Sequence, residues 1–131
     1  SGSKLYVDGS LQSTVNHGNT TASNAFNSFA VGKVPHYNIP QGQKLIDDLA
    51  IFDSTLDQTA VTALYNSGVP AEVTGAIGYW RMGDDSSDSP VDAGNITSIT
   101  DSSGNGNDAT QSTASNQPTF SALASSETIY A

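Results

Sequence analysis

The chain has 131 residues, of which 13 are acidic and 4 are basic, and its formal net charge at pH 7 is -9. This length fits one compact domain or two small ones, and it excludes a large multidomain enzyme. The negative charge disfavours nucleic acid and anionic membrane surfaces as partners, and the absence of cysteine excludes disulfides and thiolate metal sites.

The first predicted element is a β-hairpin over Leu5–Val15. Its two apolar runs flank Asp8-Gly9, a dipeptide that accepts the positive φ angles of a tight hairpin turn. After a polar loop, large apolar residues predict a short strand over Phe29–Lys33, which a proline-punctuated loop follows.

The strongest strand signal covers Lys44–Asp53. Leu45, Ile46 and the residues Leu49–Phe52 place apolar groups on both faces, as in a strand that is covered from two sides. Asp47 and Asp48 interrupt this run. An isolated carboxylate would be costly there, so we expect one to lie at the sheet rim and the other to accept backbone hydrogen bonds.

The period then changes to that of one short helix containing Leu56 to Tyr65, with Thr55 and Gln58 as a predicted capping box. Gly68 and Pro70 predict its end, and Pro70 to Gly75 reads as a linker.

A second strand is predicted over Ala76–Gly83, followed by an acidic loop over Asp84–Asn95 and a short strand over Ile96–Thr100. Asp101–Asp108 is a turn-forming tract, and the polar tail from Gln111 is expected to be poorly ordered. The large apolar residues on these elements form the predicted core: Leu5, Val7, Phe29, Val31, Leu45, Leu49, Ile51, Phe52, Leu64, Ile77, Trp80 and Met82.

Two stretches resemble the laminin-G-like, or concanavalin A-like, jelly-roll family. The motifs Leu5-Tyr6-Val7-Asp8-Gly9 and Ile46-Asp47-Asp48-Leu49-Ala50-Ile51-Phe52, with the helix ending Ala63-Leu64-Tyr65, resemble the closing half of such a domain. Tyr79-Trp80-Arg81-Met82-Gly83-Asp84, followed by Ile99-Thr100-Asp101-Ser102-Ser103-Gly104-Asn105-Gly106-Asn107, resembles the opening half.

The resemblance implies an all-β fold, an antiparallel β-sandwich of the jelly-roll type, partial or permuted, with one short helix. Residues 1–75 would be the closing half of one sandwich, and residues 76–131 the opening strand and loop-rich segment of a following repeat. Either the Tyr79 strand pairs with the Lys44–Asp53 strand within the chain, or each half completes a domain with another chain.

Asp101, Asn105, Asn107 and Asp108 are candidate Ca²⁺ ligands, because hard cations take carboxylate and amide oxygens from loops of this kind. The alternative is a series of turns in which Asp101 accepts backbone N–H bonds. The tract lacks the terminal glutamate of an EF-hand.

The remaining candidates point away from catalysis. His17 and His36 each lie alone in a polar loop, without a second histidine at ligand spacing. Enzymes that share the sandwich use a glutamate-rich strand, whereas Glu72 and Glu127 lie in the linker and the tail, so glycosidase activity is a remote option. Tyr37 is the candidate for stacking on a sugar ring, and Trp80 is expected in the core rather than on a ligand.

We therefore expect a non-enzymatic structural and interaction module displayed on a surface, extracellular or on a virion. The resemblance extends to virion structural proteins of aquatic bacteriophages, in which such sandwiches decorate capsids or tails. Its expected partners are other copies or coat and tail proteins, with a cell-surface glycan as a further contact. The alternative is a carbohydrate-binding module of a secreted bacterial enzyme or adhesin.

Overall fold

A computed structural model describes residues 2–16, 45–66, 73–83, 85–89 and 94–120. Several predictions from the sequence concern residues outside these ranges and stay predictions. They concern the strand at Phe29–Lys33, the helix-ending Gly68 and Pro70, the loop residues His17, His36 and Tyr37, and both glutamates.

The described residues form mainly short strands, with one α-helix and one turn of 3₁₀ helix. The elements in chain order are β1 (Gly2–Val7), β2 (Ser10–Asn16), β3 (Leu49–Ile51), α1 (Gln58–Tyr65), β4 (Gly78–Trp80), β5 (Ser98–Ile99), β6 (Ala109–Thr110) and the 3₁₀ turn Ala114–Asn116. Three two-stranded antiparallel sheets result, β1–β2, β3–β4 and β5–β6. The helix is too short to cross a membrane, and no other described segment forms a helix that could.

The predicted hairpin is confirmed. Asp8 and Gly9 adopt φ angles of 49° and 71°, the left-handed pair that a two-residue hairpin turn requires. The strands pair from Gly2 with Asn16 to Val7 with Ser10, and a bulge shifts the register between Leu5 and Tyr6.

Of the two alternatives for the Tyr79 strand, the structure shows the pairing with the Lys44–Asp53 strand within the chain, through Leu49 with Trp80 and Ile51 with Gly78. Both strands are shorter than the sequence predicted. Asp48, at a φ of 47°, breaks the extended backbone before β3, and Met82, at a φ of 55°, turns the chain soon after β4.

The helix forms where the apolar period predicted it, but its cap differs from the prediction. The N-cap is Asp57, whose carboxylate accepts the Ala60 backbone N–H at 2.8 Å, so the Thr55–Gln58 capping box was wrong. Gln58 instead donates its side-chain amide to the Gly9 carbonyl at 2.6 Å and so ties the helix to the hairpin turn. Asn66, at a φ of 41°, is the C-cap of α1, so the helix ends two residues before Gly68, the residue that the sequence predicted to end it.

Part of the tail that was expected to be poorly ordered is ordered. Residues 111–120 contain the 3₁₀ turn and return to the strand region, where the Ile96 N–H donates to the Pro118 carbonyl at 2.8 Å. The Phe120 N–H donates to the Gly94 carbonyl at 2.9 Å. These backbone bonds, between residues more than 20 positions apart, explain why local composition did not predict the order.

The apolar core differs from the predicted one. Four predicted core residues are exposed: Leu5 at 58%, Val7 at 48%, Leu45 at 64% and Ile77 at 43%. Those on β3, α1 and β4, with Phe52 and Met82, are half-buried. Ile96, 6% exposed, is the buried apolar residue of the described ranges. Leu5 and Val7 lie on a hairpin that pairs with no further strand of the described residues, and Leu45 and Ile77 lie outside the strands, so no second layer covers these four side chains.

Candidate functional site

The candidate site is the loop of residues 101–107, which lies along the edge of β4 opposite β3. Ser102 donates its backbone N–H to the Tyr79 carbonyl at 2.7 Å, and Trp80 forms a strand-like bridge with Asp101. We call these seven residues the edge cap, since they occupy positions that a third strand would otherwise take. The outer edge of β4 is therefore covered within the chain.

Asp101 is the centre of the edge cap and is only 4% exposed. Its Oδ1 accepts the backbone N–H of Tyr79 at 2.9 Å and that of Ser103 at 3.0 Å, and its Oδ2 accepts that of Asn107 at 2.9 Å. One carboxylate thus fixes both ends of the cap and a strand N–H. This agrees with the turn interpretation of the tract.

Hydrogen bonding also sets the charge state of Asp101. A bond from the Ser103 side chain, together with the backbone N–H groups of Tyr79, Asn107 and Ser103, holds the pKa of this carboxyl well below its usual range, against the opposing effect of burial. The group is therefore ionised at all ordinary pH values. A permanently ionised acceptor suits a structural anchor better than a proton-transfer role.

The two asparagines act through their amide groups. Asn107 donates Nδ2 to the Ile77 carbonyl at 3.0 Å, and Asn105 donates Nδ2 to the same oxygen at 3.3 Å. In return, the Trp80 indole N–H donates to the Asn107 carbonyl at 2.9 Å. The side chains therefore satisfy the carbonyl of Ile77, the residue directly before β4.

The four predicted Ca²⁺ ligands thus come together in one loop, in a defined arrangement. Asp108 accepts the Asp101 backbone N–H through Oδ1 at 2.8 Å. Both oxygens of Asp101 are engaged with N–H groups, which a cation would have to displace. No group of three or more His, Cys, Asp or Glu side chains within the described residues could hold a metal. Calcium binding stays a prediction.

Asp88 is an anchor that the sequence did not single out. It is 6% exposed, and it accepts the Gly83 backbone N–H at 2.9 Å and the Thr100 backbone N–H at 2.6 Å. These two bonds fasten the acidic loop to the turn after β4 and to the end of β5. Thr100 lies 12 positions away from Asp88, so no local sequence pattern predicts this contact.

Asp85 links this acidic loop to the edge cap. Its Oδ1 accepts the Ser87 backbone N–H at 2.9 Å, and its Oδ2 accepts the Ser102 hydroxyl at 2.9 Å. The bond from Ser87, followed by that from Ser102, lowers the pKa of Asp85. The Asp-x-Ser spacing at 85–87 is a turn signal that could have identified the first of these contacts.

The Asp47–Asp48 pair lies next to the same sheet. Asp47 is exposed and accepts the Asp48 backbone N–H at 3.1 Å, whereas Asp48 accepts the Tyr79 hydroxyl at 2.6 Å. Asp47 is thus both the exposed member of the pair and the acceptor of a backbone N–H, whereas one role was expected for each residue. The donor to Asp48 is a side chain. Burial, and then the hydrogen bond to Asp48, raise the pKa of Tyr79 to about 12.

Trp80 was expected in the core rather than on a ligand, and it lies beside Tyr79 on β4. The Trp80 ring is half-buried and covers Gly78 so closely that an added Cβ there would lie 2.5 Å from Cη2. The polar atoms of both aromatic side chains are engaged, that of Trp80 with the edge cap and that of Tyr79 with Asp48. Their arrangement is that of structural residues.

Comparisons with protein-family models, with curated proteins and with solved structures gave no match to this chain.

Proposed function

We propose that this protein is a non-enzymatic structural and interaction module, which assembles with further copies of itself through the apolar face of the β1–β2 hairpin. A repeating coat, such as a virion capsid or tail surface, is the assembly that we propose for it. In this proposal the finer fold is an antiparallel sandwich of the laminin-G-like type, to which the hairpin of a second copy contributes a layer.

The observation that carries the proposal is the exposure of the hairpin. It has the longest ladder in the described residues, yet Leu5, Val7 and Val15 are 58%, 48% and 52% exposed. Leu5 and Val7 alternate with Tyr6, and Val15 pairs with Ser3, so the three apolar side chains lie on one face. An isolated two-stranded hairpin is marginal in water, and a covering layer would stabilise it.

Charge favours a second copy as this covering layer. The hairpin carries one basic residue, Lys4, and one acidic residue, Asp8, in a chain whose net charge is -9. Two hairpins can therefore meet with little mutual repulsion, whereas the acidic segments repel each other. Face-to-face packing of two sheets is the ordinary arrangement of a sandwich.

The carboxylates of the candidate site support a structural role. Asp88 and Asp101 are buried, and each accepts at least two backbone N–H groups. Groups used in this way position the backbone. Nothing in their geometry calls for a substrate.

The expected association is weak for each pair of copies. Three apolar side chains per copy make a smaller interface than that of ordinary stable complexes. A repetitive coat would multiply such contacts through multivalency. We therefore expect reversible, concentration-dependent association in dilute solution.

Sedimentation velocity over a series from micromolar to millimolar protein tests the proposal. A Leu5→Gln/Val15→Gln variant should remain a 13.5 kDa monomer, whereas the wild-type protein associates. The matched control is Leu45→Gln/Ile46→Gln, since these residues are apolar, adjacent and also exposed, at 64% and 42%. The control should associate as the wild type does.

Two outcomes would overturn the proposal. A wild-type protein that stays monomeric at every concentration contradicts self-assembly. Association that the control substitutions abolish and the hairpin substitutions leave intact places the contact elsewhere. Circular dichroism of each variant confirms that the fold is retained before sedimentation.

A further inference from the structure

The edge cap contains the dipeptide Asn105-Gly106, whose chemical reactivity plays no part in the contacts described above. Both residues are exposed, and Gly106 has a φ of 74°. The Asn105 side chain is held weakly, by bonds of 3.3 Å to the Ile77 carbonyl and 3.2 Å to the Ser103 hydroxyl. We propose that Asn105 is a site of spontaneous deamidation, and that its conversion to a carboxylate loosens the edge cap from β4.

The chemistry needs only water. The Gly106 backbone nitrogen loses its proton to solvent and attacks Cγ of Asn105, forming a new C–N bond. The bond from Cγ to the side-chain nitrogen breaks, and that nitrogen leaves as ammonia with the protons it needs from water. One water molecule then opens the cyclic imide at either carbonyl, giving aspartate or isoaspartate. No oxidation or reduction occurs.

The structure leaves the nucleophile available. No hydrogen bond holds the Gly106 backbone N–H among the described residues, whereas the next N–H, that of Asn107, donates to Asp101 Oδ2 at 2.9 Å. Gly106 has no side chain to hinder the approach of its nitrogen to Cγ. The Asn105–Gly106 bond therefore combines a reactive side-chain amide, an unhindered backbone nitrogen and access to solvent.

The product would disrupt the contact that Asn105 makes. A carboxylate offers only acceptors, so it cannot donate to the Ile77 carbonyl and repels that oxygen instead. It also adds a negative charge to the loop that Asp101, whose carboxylate is already ionised, holds together. Asn107 still donates to Ile77 at 3.0 Å, so the cap should loosen at this end and not detach.

Asn107 provides an internal control, because it donates to the same carbonyl but precedes Asp108, not glycine. Wild-type protein is incubated in mildly alkaline buffer, and its peptides are analysed by mass spectrometry. Acid and isoaspartate forms should accumulate several-fold faster at Asn105 than at Asn107. Conversion of Asn107 at an equal or greater rate would overturn the assignment of the site.

The structural consequence is tested separately with Asn105→Asp, and with Asn105→Gln as the variant that keeps an amide. Hydrogen exchange of the Tyr79 and Asn107 backbone N–H groups, both bonded to Asp101, is the measurement. It should be several-fold faster in Asn105→Asp than in Asn105→Gln. Equal exchange in the two variants would show that the carboxylate leaves the edge cap intact.

Discussion

Replacing Asp88 by asparagine tests whether buried carboxylates anchor this fold. The asparagine side chain has the same shape but offers one acceptor oxygen in place of two. The carboxylate accepts one backbone N–H on each oxygen, from Gly83 and from Thr100. In Asp88→Asn one of these two N–H groups must face an NH₂ group, and the other loses a charged acceptor.

The magnitude follows from these two losses. A hydrogen bond contributes about 1.5–3 kcal/mol to a charged acceptor and about 0.5–1.5 kcal/mol to a neutral one, so the loss of charge costs about 1 kcal/mol. A buried N–H left unpaired costs about 1–3 kcal/mol, and the expected destabilisation is therefore about 2–4 kcal/mol. For a chain of this length, about 4 °C of Tm corresponds to 1 kcal/mol, and the Tm should fall by about 8–16 °C.

Urea denaturation measures the effect directly. The midpoint should fall while the slope of the free energy of unfolding against urea stays constant, because the surface exposed on unfolding hardly changes. Asp53→Asn is the matched control, since Asp53 is exposed and makes no hydrogen bond within the described residues. Equal midpoints for Asp88→Asn and Asp53→Asn would refute the anchoring argument.

Three further predictions concern the turns and the charge of the protein. Gly9→Ala should lower the Tm more than Gly75→Ala. Both glycines have a positive φ, but only at Gly9 would the new Cβ lie 2.8 Å from the Tyr65 ring. Equal losses of Tm would show that this contact with Tyr65 does not destabilise the variant. The folded-state pKa of Asp101 is lowered, so its stabilisation is complete above the unfolded value near 3.8 and is lost as the pH falls through the lower folded value. Urea midpoints should accordingly decline below about pH 4, and less so in Asp101→Asn; parallel pH profiles would contradict this. If residues 101–108 bind Ca²⁺ in the folded state, millimolar Ca²⁺ should raise the Tm above that in excess chelator at matched ionic strength, and equal values would leave the tract as a hydrogen-bonded loop.

Features that depend on neighbouring residues were predictable from the sequence. Asp8-Gly9 fixed the hairpin turn because its signal is a backbone preference of two residues. The helix followed from its apolar period, and the turns of the edge cap from a tract of Ser, Gly, Asn and Asp. The pairing of β3 with β4 came from the family resemblance and not from any local pattern.

Features that depend on distant residues were not predictable. Apolar residues mark a strand, but whether another layer covers them is a tertiary matter, so Leu5 and Leu45 were assigned to the core although both are exposed. Asp101 looked like a turn residue or a cation ligand. Its bond to Tyr79, 22 positions earlier, makes it the anchor of a strand edge. The role of Asp88 could not be predicted, because its partners are backbone N–H groups. Almost every residue has such a group, so no residue type in the sequence marks the contact.

During synthesis β4 is made before the residues that cover its outer edge, so this edge stays uncovered for a time. The groups that cover its outer edge follow their partners by 22 to 30 positions, from the Tyr79–Asp101 bond to the Ile77–Asn107 bond. Ribosomes add about 5–20 residues per second, so β4 waits about 1–6 s for its cover during synthesis. In that interval its exposed backbone can pair with a neighbouring nascent chain. Slower translation of residues 81–107 should therefore lower the soluble yield, although the finished protein is unchanged.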